Sequence, residues 1–430
     1  MRYDDLYLWF LADPALPRYV GRLRLVDAGK GVSLQYGADW LAGGFPLSED
    51  LVLTDIEQLP RWKGMAVGAV DDARPDRWGE RVIQYLDKPA RLSLMEYLYY
   101  AGDDRYGALG VSTSAAAYAP RTKSPLPRLQ QAQELSEVVH KVNTRTPVSA
   151  LERRMLHAGG SFGGAKPKAL IDIGGVQWVI KFFDNEPVDV PLIEHASMTL
   201  AKLAGITVAE TRVVPLAGEN ALAVRRYDRD GTRRIHCISA GTALRAQAIA
   251  TEEPQLGYPN LAQLLRRAGV TDEDRNLRDM QELFRRMVFN ILIDNTDDHE
   301  KNHALQVVAP TRQGRYRLAP AYDILPTNSG QGYQEFIVGT DQRDSTLSNA
   351  MSQCELFGYT PPQAAAEVVR VIRTVDGWRE HFAACGVTNS DLESLSERID
   401  GDLLKAQRRE FNPADHAATR APKRRSPFAG

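Results

Sequence analysis

Two aspartates and one asparagine in the second half of the chain have the types and spacing that phosphate chemistry uses. Asp297 and Asn302 lie five residues apart in a polar stretch, and Asp323 follows after a predicted hairpin. Mg²⁺ prefers one or two carboxylates together with phosphate oxygens and water. Phosphoryl transfer uses one aspartate to accept the substrate hydroxyl proton, and an asparagine and a second aspartate to hold the metal. By itself the segment is equally compatible with a solvated loop whose side chains cap turns.

A glycine-rich segment, residues 159–168, leads into a predicted strand, and Lys181 lies on the strand that follows. Small residues let backbone N–H groups approach a phosphate closely, and a strand lysine can reach the α- and β-phosphates as a compact charge. Because Lys181 interrupts an apolar strand, it needs an anionic partner, for which Glu194 on the next predicted helix is a candidate. The segment matches neither the Walker A pattern nor G-x-G-x-x-G, and alone it is also compatible with a structural hairpin loop.

The order of these features predicts the elements that must position them. A glycine loop, a strand lysine, a helix glutamate, a long helix, a base and metal ligands follow one another as in a bilobal kinase. Apolar spacing and turn residues predict a tight hairpin at Gly174-Gly175 and a long helix with one buried face. The predicted strands and helices here are 168–173, 178–183, 193–203, 211–215, 221–225, 277–293, 304–308, 316–318, 364–373 and 392–408.

The preceding part of the chain predicts a separate subdomain. Its predicted strands and helices are 19–26, 32–36, 81–88, 92–99 and, after a proline-rich connector at 120–127, 130–143. The alternating charges of residues 71–78 favour a surface salt-bridge cluster at the domain junction over a recognition loop. We expect four parts: a subdomain at 1–120, a nucleotide-binding lobe at 121–232, a helical catalytic lobe at 233–409 and a mobile tail at 410–430.

Composition is that of a soluble globular protein. The 430 residues include 53 Lys and Arg against 55 Asp and Glu, a formal net charge of -2. This balance argues against nucleic-acid binding through bulk charge, although it permits local basic patches. Three widely spaced cysteines without a CxxC pair favour a reducing compartment over a disulfide framework or a zinc site. An acidic start and the lack of a long apolar run predict a cytoplasmic protein.

The chain resembles the HipA-type serine/threonine kinases, the toxin halves of bacterial toxin–antitoxin pairs. The motifs that carry the resemblance are 161–168 (SFGGAKPK), Lys181, 222–228 (LAVRRYD), 288–302 (VFNILIDNTDDHEKN) and 318–323 (LAPAYD). The similarity spans about residues 15–400, and the N-terminal part looks like the family's amino-terminal subdomain. The resemblance implies an α+β, bilobal, protein-kinase-like fold with a small β-rich nucleotide lobe, a helical C-terminal lobe and an extra N-terminal subdomain.

Residue by residue, the resemblance implies roles for the site. Asp297 is the general base, Asn302 and Asp323 are metal ligands, and Ser161 matches a serine that such kinases autophosphorylate, which shuts the enzyme off. From the residues alone, Ser161 is equally compatible with a loop cap. Arg225 departs from the glutamate that the family often has at this position. The residues implied around ATP are Gly163, Gly164, Ala165, Lys166, Pro167, Lys168, Lys181, Arg225, Arg226, Tyr227, His299, Glu300, Lys301, Asn302, Tyr322 and Asp323.

The resemblance implies an ATP- and Mg²⁺-dependent protein serine/threonine kinase that arrests growth as a toxin. The implied partners are a helix-turn-helix antitoxin (HipB-like), operator DNA reached mainly through that antitoxin, and a protein substrate such as an aminoacyl-tRNA synthetase. Two alternatives stay open: a small-molecule kinase of the same fold, and a pseudokinase that acts only as a corepressor through antitoxin and DNA. The first would use the same residues, whereas the complete lysine, aspartate and asparagine set speaks against the second.

Overall fold

A four-stranded antiparallel sheet forms the centre of the N-terminal part of the chain. The computed structural model describes residues 2–119, 121, 125–157, 166–184, 186–248, 253–311, 314–327 and 329–416. The first elements are β1 (Asp5–Phe10), β2 (Arg18–Val26), β3 (Gly31–Tyr36), α1 (Ala38–Gly43), α2 (Arg77–Val82), α3 (Leu94–Tyr100) and β4 (Leu109–Ser112). The strand order is β3-β2-β1-β4. The predicted strands 19–26 and 32–36 correspond to β2 and β3, whereas β1 and β4 were not predicted.

The N-terminal sheet buries one face. In β2, Leu23 is fully buried between the exposed residues Arg22 and Arg24, as the alternation of side chains along a strand requires. The buried face belongs to one hydrophobic core that continues into the C-terminal helices, where it includes Phe289. The N-terminal part is therefore packed on the rest of the chain rather than tethered to it.

A second four-stranded antiparallel sheet follows. Its region contains α4 (Ala132–Asn143), α5 (Ala150–His157), β5 (Lys168–Ile173), β6 (Val176–Lys181), α6 (Val190–Leu203), β7 (Thr211–Pro215) and β8 (Asn220–Arg225). The strand order is β5-β6-β8-β7. Gly174 and Gly175 link β5 to β6 with φ values of 65° and 83°, which glycine adopts without steric cost. The predicted tight hairpin is confirmed.

The final part is mainly helical and carries a three-stranded antiparallel sheet. Its elements are β9 (Arg229–Asp230), β10 (Arg233–Arg234), β11 (Cys237–Ser239), α7 (Ala240–Arg245), α8 (Tyr258–Ala268), α9 (Arg275–Leu292), β12 (Ala304–Thr311), β13 (Gly314–Leu318), α10 (Leu347–Met351), α11 (Pro361–Val375), α12 (Trp378–Ala384), α13 (Asn389–Ile399) and α14 (Asp402–Glu410). The order in the sheet is β11-β12-β13. The long predicted helix is α9, and Leu283, Phe284 and Met287 on its predicted apolar face are fully buried.

Two predictions near the C-terminus were wrong in their bounds. The single helix expected at 392–408 is divided into α13 and α14, with extended Gly401 as the residue that caps α14. A break at glycine is reasonable because glycine is a poor residue in a helix interior. The expected mobile tail from 410 begins within α14, and a 3₁₀ turn covers Pro413–His416. Residues 417–430 lie outside the described part.

The prediction for residues 71–78 was wrong about the surface. Asp71 and Trp78 are buried, with 5% and 0% of their surface exposed. We call Asp71–Trp78 the bridging segment, because its contacts reach two other parts of the chain. Trp78 Nε1 donates to the Lys168 carbonyl on β5, at 2.7 Å, and Asp72 accepts from Ser239.

In the described ranges, no helix is both long and apolar enough to cross a membrane.

Candidate active site

Lys181 joins two carboxylates that come from different parts of the chain. It ends β6, and its Nζ lies 2.6 Å from Glu194 Oε1 on α6 and 2.5 Å from Asp323 Oδ1. Only 14% of the Lys181 side chain and 4% of the Glu194 side chain are exposed. The partner predicted for Lys181 is therefore present, and Asp323 is a second one.

The opposite charges of Lys181 and Asp323 stabilise each other. Burial by itself lowers the pKa of Lys181, but the carboxylates of Asp323 and Glu194 outweigh it and raise the pKa above its usual range. Burial raises the pKa of Asp323, yet the positive charges of Lys181 and Lys168 hold it well below its usual range. Lys181 is therefore a cation and Asp323 an anion at neutral pH.

The capping of helix α6 fixes the position of Glu194. Asp189 caps its start, since its carboxylate accepts a hydrogen bond from the Leu192 N–H at 3.1 Å. Pro191 in the first turn has no N–H to lose and already has a helical φ. The helix therefore begins at a fixed place, and Glu194 lies just after its first turn.

The residues after α9 form a polar loop, which we define as residues 294–303. Asp294 leaves the helix with φ 58°, a conformation that Asp tolerates better than most residues. Asn295 Nδ2 donates to Asn290 Oδ1 at 3.1 Å, and the hydroxyls of Thr296 and Thr327 lie 2.6 Å apart. The start of the polar loop is thus fixed on both sides.

The residue after Asp297 anchors the middle of the polar loop in the core. Asp298 is buried and lies 2.8 Å from Nε2 of His303, and the Tyr258 hydroxyl donates to the same carboxylate. Asn290 in turn donates to the Tyr258 hydroxyl at 3.1 Å. His303 therefore takes part in a structural network of hydrogen bonds.

The pKa of Asp297 is raised, as expected for a carboxyl group that acts as a base near other negative charges. Burial raises its pKa, and the charges of Asp323 and Glu335 raise it further, while His299 opposes them. Asn302 Nδ2 donates to the Asp297 carbonyl at 3.2 Å, so the two residues predicted from their spacing are directly linked. A carboxyl with a raised pKa is better matched to accepting a proton near neutral pH.

Asp323 is delivered by the β12–β13 hairpin. After β13, Ala321 N–H donates to the Thr207 carbonyl at 2.8 Å, and its own carbonyl accepts from Ala209 N–H at 2.9 Å. Asp323 then adopts φ 58°, an uncommon conformation for a residue other than glycine. A strained backbone conformation persists where the surrounding contacts hold it. Here the two hydrogen bonds of Ala321 and the ion pair with Lys181 hold Asp323 in place.

The two predicted metal ligands are drawn together by their neighbours. The Tyr322 hydroxyl donates to the Lys301 carbonyl at 2.6 Å, and these residues directly precede Asp323 and Asn302. Since Nδ2 of Asn302 already donates a hydrogen bond, its Oδ1 is the atom suited to a cation. An amide oxygen and a carboxylate fit Mg²⁺, which completes its shell with phosphate oxygens and water. Across the described ranges, no group of three or more His, Cys, Asp or Glu side chains could hold a metal ion.

Arg225, Arg226 and Tyr227, which the resemblance implies around ATP, make extensive contacts with the rest of the protein. Arg226 is buried, and its Nη2 lies 2.7 Å from Asp228 Oδ2. Arg225 is exposed and lies 3.2 Å from Glu210. The backbone N–H groups of Arg225 and Arg226 donate to carbonyls of the protein, so neither serves a bound base. The ring of Tyr227 stacks on Tyr322 with centroids 5.4 Å apart.

The other residues implied around ATP lie at the start of β5, in the polar loop or outside the described residues. Lys168 is buried on β5, where burial and the charge of Lys181 lower its pKa to about 8. Lys166 Nζ lies 3.0 Å from Glu186, and the Pro167 carbonyl accepts from Phe182 N–H. In the polar loop, Glu300 pairs with Arg245 at 2.8 Å, and His299 Nδ1 accepts from Lys301 N–H. Ser161, Gly163, Gly164 and Ala165 lie outside the described residues.

Sequence reasoning missed four residues that contact or influence this site. Asp76 lies 2.5 Å from Lys301, and Tyr106 accepts a hydrogen bond from the Tyr227 hydroxyl at 3.2 Å. Asp228 holds Arg226, and Glu335 acts on Asp297 through its charge. The alternating charges of residues 71–78 indicate ion pairs, but nothing in this local pattern indicates contact with residues more than 100 positions away.

Comparisons with known proteins bear on the family and the fold of the chain. The model of the HipA-like C-terminal domain family matches residues 160–378. "Putative kinase Y4dM" of Sinorhizobium fredii is 31% identical over 166 residues, 36% of this chain and 38% of that protein. A "Putative kinase" of Haemophilus influenzae is 27% identical over 153 residues, 32% of this chain and 43% of that protein. The chain thus spans about two fifths of the length of these curated relatives.

A solved structure matches nearly the whole fold. It is a chain of the Shewanella oneidensis MR-1 toxin–antitoxin complex of HipA, HipB and operator DNA. The TM-score is 0.66 with 18% sequence identity, and the match covers 94% of this chain and 97% of that one. The likeness confirms the predicted α+β, kinase-like fold with its additional N-terminal part.

Proposed function

Because the chain belongs to the family of the HipA-like C-terminal domain, we propose that it is an ATP- and Mg²⁺-dependent protein serine/threonine kinase. The observation that carries this proposal is the contact of Lys181 with both Glu194 and Asp323. A strand lysine paired with a helix glutamate and set beside a metal-binding aspartate is the arrangement that phosphoryl transfer in kinases requires.

The positions of the described side chains support the proposed roles. Asp297 accepts the proton of the substrate hydroxyl, and its raised pKa suits this task. Lys181 and the backbone of residues 163–168 bind the phosphates of ATP. Asn302 and Asp323 would hold Mg²⁺, which when bound neutralises charge that develops on the transferred phosphoryl group. The buried contacts of the polar loop fix these groups before the substrate arrives, which reduces the cost of orienting them.

The biological setting is also a proposal. We place the nucleotide lobe at 121–232, the catalytic lobe at 233–409 and an N-terminal subdomain at 1–120. The protein would act as a toxin that arrests growth by phosphorylating a translation-related protein such as an aminoacyl-tRNA synthetase. A helix-turn-helix antitoxin would bind it and connect it to operator DNA, and the HipA, HipB and operator DNA complex supports this setting. Autophosphorylation at Ser161 would add about 1.5–2 negative charges beside the triphosphate site and so inhibit the enzyme.

The test is phosphoryl transfer from labelled ATP with Mg²⁺, to the protein itself and to the proteins of a cell lysate. Asp297→Asn should lower the rate by roughly 10²–10⁴-fold because it removes the base. Asp272→Asn, an exposed change before α9, serves as the control. Transfer only to small molecules would favour the small-molecule kinase, and nucleotide binding without transfer would favour the pseudokinase. Absence of transfer to any protein contradicts the proposal.

A further inference from the structure

The bridging segment contacts three other parts of the chain near the site, namely the start of α7, β5 and the polar loop. Asp72 accepts from the Ser239 N–H at 2.7 Å and from its hydroxyl at 2.8 Å, at the start of α7. Trp78 reaches Lys168 on β5, in the sheet that carries Lys181. Between these two contacts lies Asp76, whose Oδ1 is 2.5 Å from Nζ of Lys301 in the polar loop.

The environment of Lys301 is acidic mainly through the N-terminal part of the chain. Its side chain is 36% exposed and that of Asp76 is 22% exposed, so the pair is partly shielded from water. The charge of Lys301 also acts on the carboxylates of Asp72 and Glu80, where it opposes the burial that raises their pKa values. Three carboxylates from residues 72–80 therefore attract this one lysine.

Lys301 is connected to the proposed metal ligands through its backbone. Lys301 directly precedes Asn302. Its carbonyl accepts a hydrogen bond from the hydroxyl of Tyr322, which directly precedes Asp323. Tyr322 stacks on Tyr227, and the Tyr227 hydroxyl donates to Tyr106. The N-terminal part thus holds this connection at two points, through the Asp76 carboxylate and through the Tyr106 hydroxyl.

The bridging segment is itself firmly held, so that it can fix a partner. Asp71 Oδ1 accepts from Arg74 Nε at 2.7 Å and from Ala66 N–H at 2.9 Å. Arg74 Nη1 also lies 3.5 Å from Glu80. Asp76 follows Pro75, whose ring restricts the backbone at this point. The backbone that leads to Asp76 is therefore restrained by contacts of its own.

We infer that Asp76 is a positioning residue for phosphoryl transfer, which acts by holding Lys301 and thereby the Asn302 and Asp323 ligand pair. The inference rests on the proposed kinase function. It makes the N-terminal part of the chain a component of the active site, although Asp76 touches neither the nucleotide nor the substrate. Because displacements of about 1 Å in a catalytic site can cost roughly 100-fold in rate, loss of this contact has a measurable kinetic effect.

The experiment compares transfer rates of the full-length protein with labelled ATP and Mg²⁺. Asp76→Asn should lower the rate by roughly 10- to 100-fold, and Asp76→Glu, which keeps the charge, should recover most of it. Arg77→Ala, the exposed neighbour, is the matched control. In a Lys301→Met background, Asp76→Asn should cause no further loss, because Asp76 acts through Lys301.

Three results would overturn the inference. The first is a wild-type transfer rate in Asp76→Asn. The second is a loss of rate on adding Asp76→Asn to Lys301→Met that equals its loss in the wild-type background. The third is a rate in Asp76→Glu as low as that in Asp76→Asn. A second readout separates this inference from the kinase function itself. Amide hydrogen exchange in a peptide spanning 296–303 should rise in Asp76→Asn and not in Arg77→Ala. If the wild type transfers no phosphate, the proposed function fails, and unchanged exchange in Asp76→Asn then rejects the positioning role separately.

Discussion

Nζ of Lys181 lies 2.5 Å from Oδ1 of Asp323, although 142 positions separate the two residues in the chain. The contact joins the end of a strand in the second sheet to the residue that follows the β12–β13 hairpin. A nucleotide bound between these parts would meet both a cation for its phosphates and a carboxylate for its metal. The contact therefore defines where the two lobes face each other.

Lys181→Met should abolish both phosphoryl transfer and tight ATP binding. It should also lower the free energy of unfolding by about 3–5 kcal/mol, because Glu194 would remain buried without its cation. Urea unfolding and ATP titration measure the two effects. Lys141→Met removes a lysine that pairs with Glu152 at the surface and should behave like the wild type. Wild-type ATP binding in Lys181→Met would contradict the assigned role.

Glu335→Gln should shift the acid limb of the rate profile to lower pH. Asp297 must be ionised to accept a proton, so the rate falls as pH drops through its pKa. Burial raises that pKa first, and the charges of Asp323 and Glu335 add to the effect. Removal of one negative charge lowers the pKa of Asp297, which stays ionised in more acidic solution.

The measurement for this prediction is kcat against pH for wild type and variant. Glu134→Gln, on the exposed face of α4, should leave the profile in place. A shift of the Glu335→Gln profile to higher pH would show that Asp297 is not the group that titrates.

Arg226→Ala should destabilise the protein strongly, whereas its neighbour Arg225→Ala should not. The Arg226 and Asp228 side chains are only 1% and 4% exposed, and removal of the arginine takes away one of the two cations, Arg226 and Arg229, that pair with this buried carboxylate. Because Arg229 still pairs with Asp228, we expect a loss of about 1–3 kcal/mol rather than the cost of a fully unpaired charge. Arg225 pairs with Glu210 at the surface, where such pairs contribute at most about 1 kcal/mol. Denaturant midpoints of the two variants test this, and equal midpoints would contradict it.

His236 should make the free energy of unfolding fall in acid. It is 3% exposed, burial lowers its pKa to about 4, and one ring nitrogen contacts the Leu47 carbonyl at 3.0 Å. In the unfolded chain His236 is protonated near pH 6.5, whereas in the folded protein it is protonated only near pH 4. Stability is therefore lost as pH decreases from about 6.5 to 4, by about 3 kcal/mol in total.

The slope of unfolding free energy against pH measures the His236 effect. His236→Phe keeps an aromatic ring against Phe10 and Phe45 and should flatten the slope in this interval. His416→Gln, beyond α14, should retain the wild-type slope. An unchanged slope in His236→Phe would assign the acid sensitivity to other groups.

Local patterns predicted the elements that carry the site. The β5–β6 hairpin follows from Gly174-Gly175, and the buried face of α9 follows from its helical periodicity. The pairing of Lys181 with Glu194 was predictable because a charged residue in an apolar strand needs a partner nearby. The α13–α14 break was missed because apolar spacing continues on both sides of Gly401.

Residue types and spacing identify the groups that could do chemistry here: Lys181, Glu194, Asp297, Asn302 and Asp323, each on a local element that periodicity and turn residues predict. The contact of Asp76 with Lys301 across 225 positions and the burial of the Arg226 cation depend on the tertiary fold. Periodicity encodes which face of an element is buried, since that depends on neighbouring residues. The partner of a charged side chain far along the chain depends instead on how the whole core packs, and no local pattern records it.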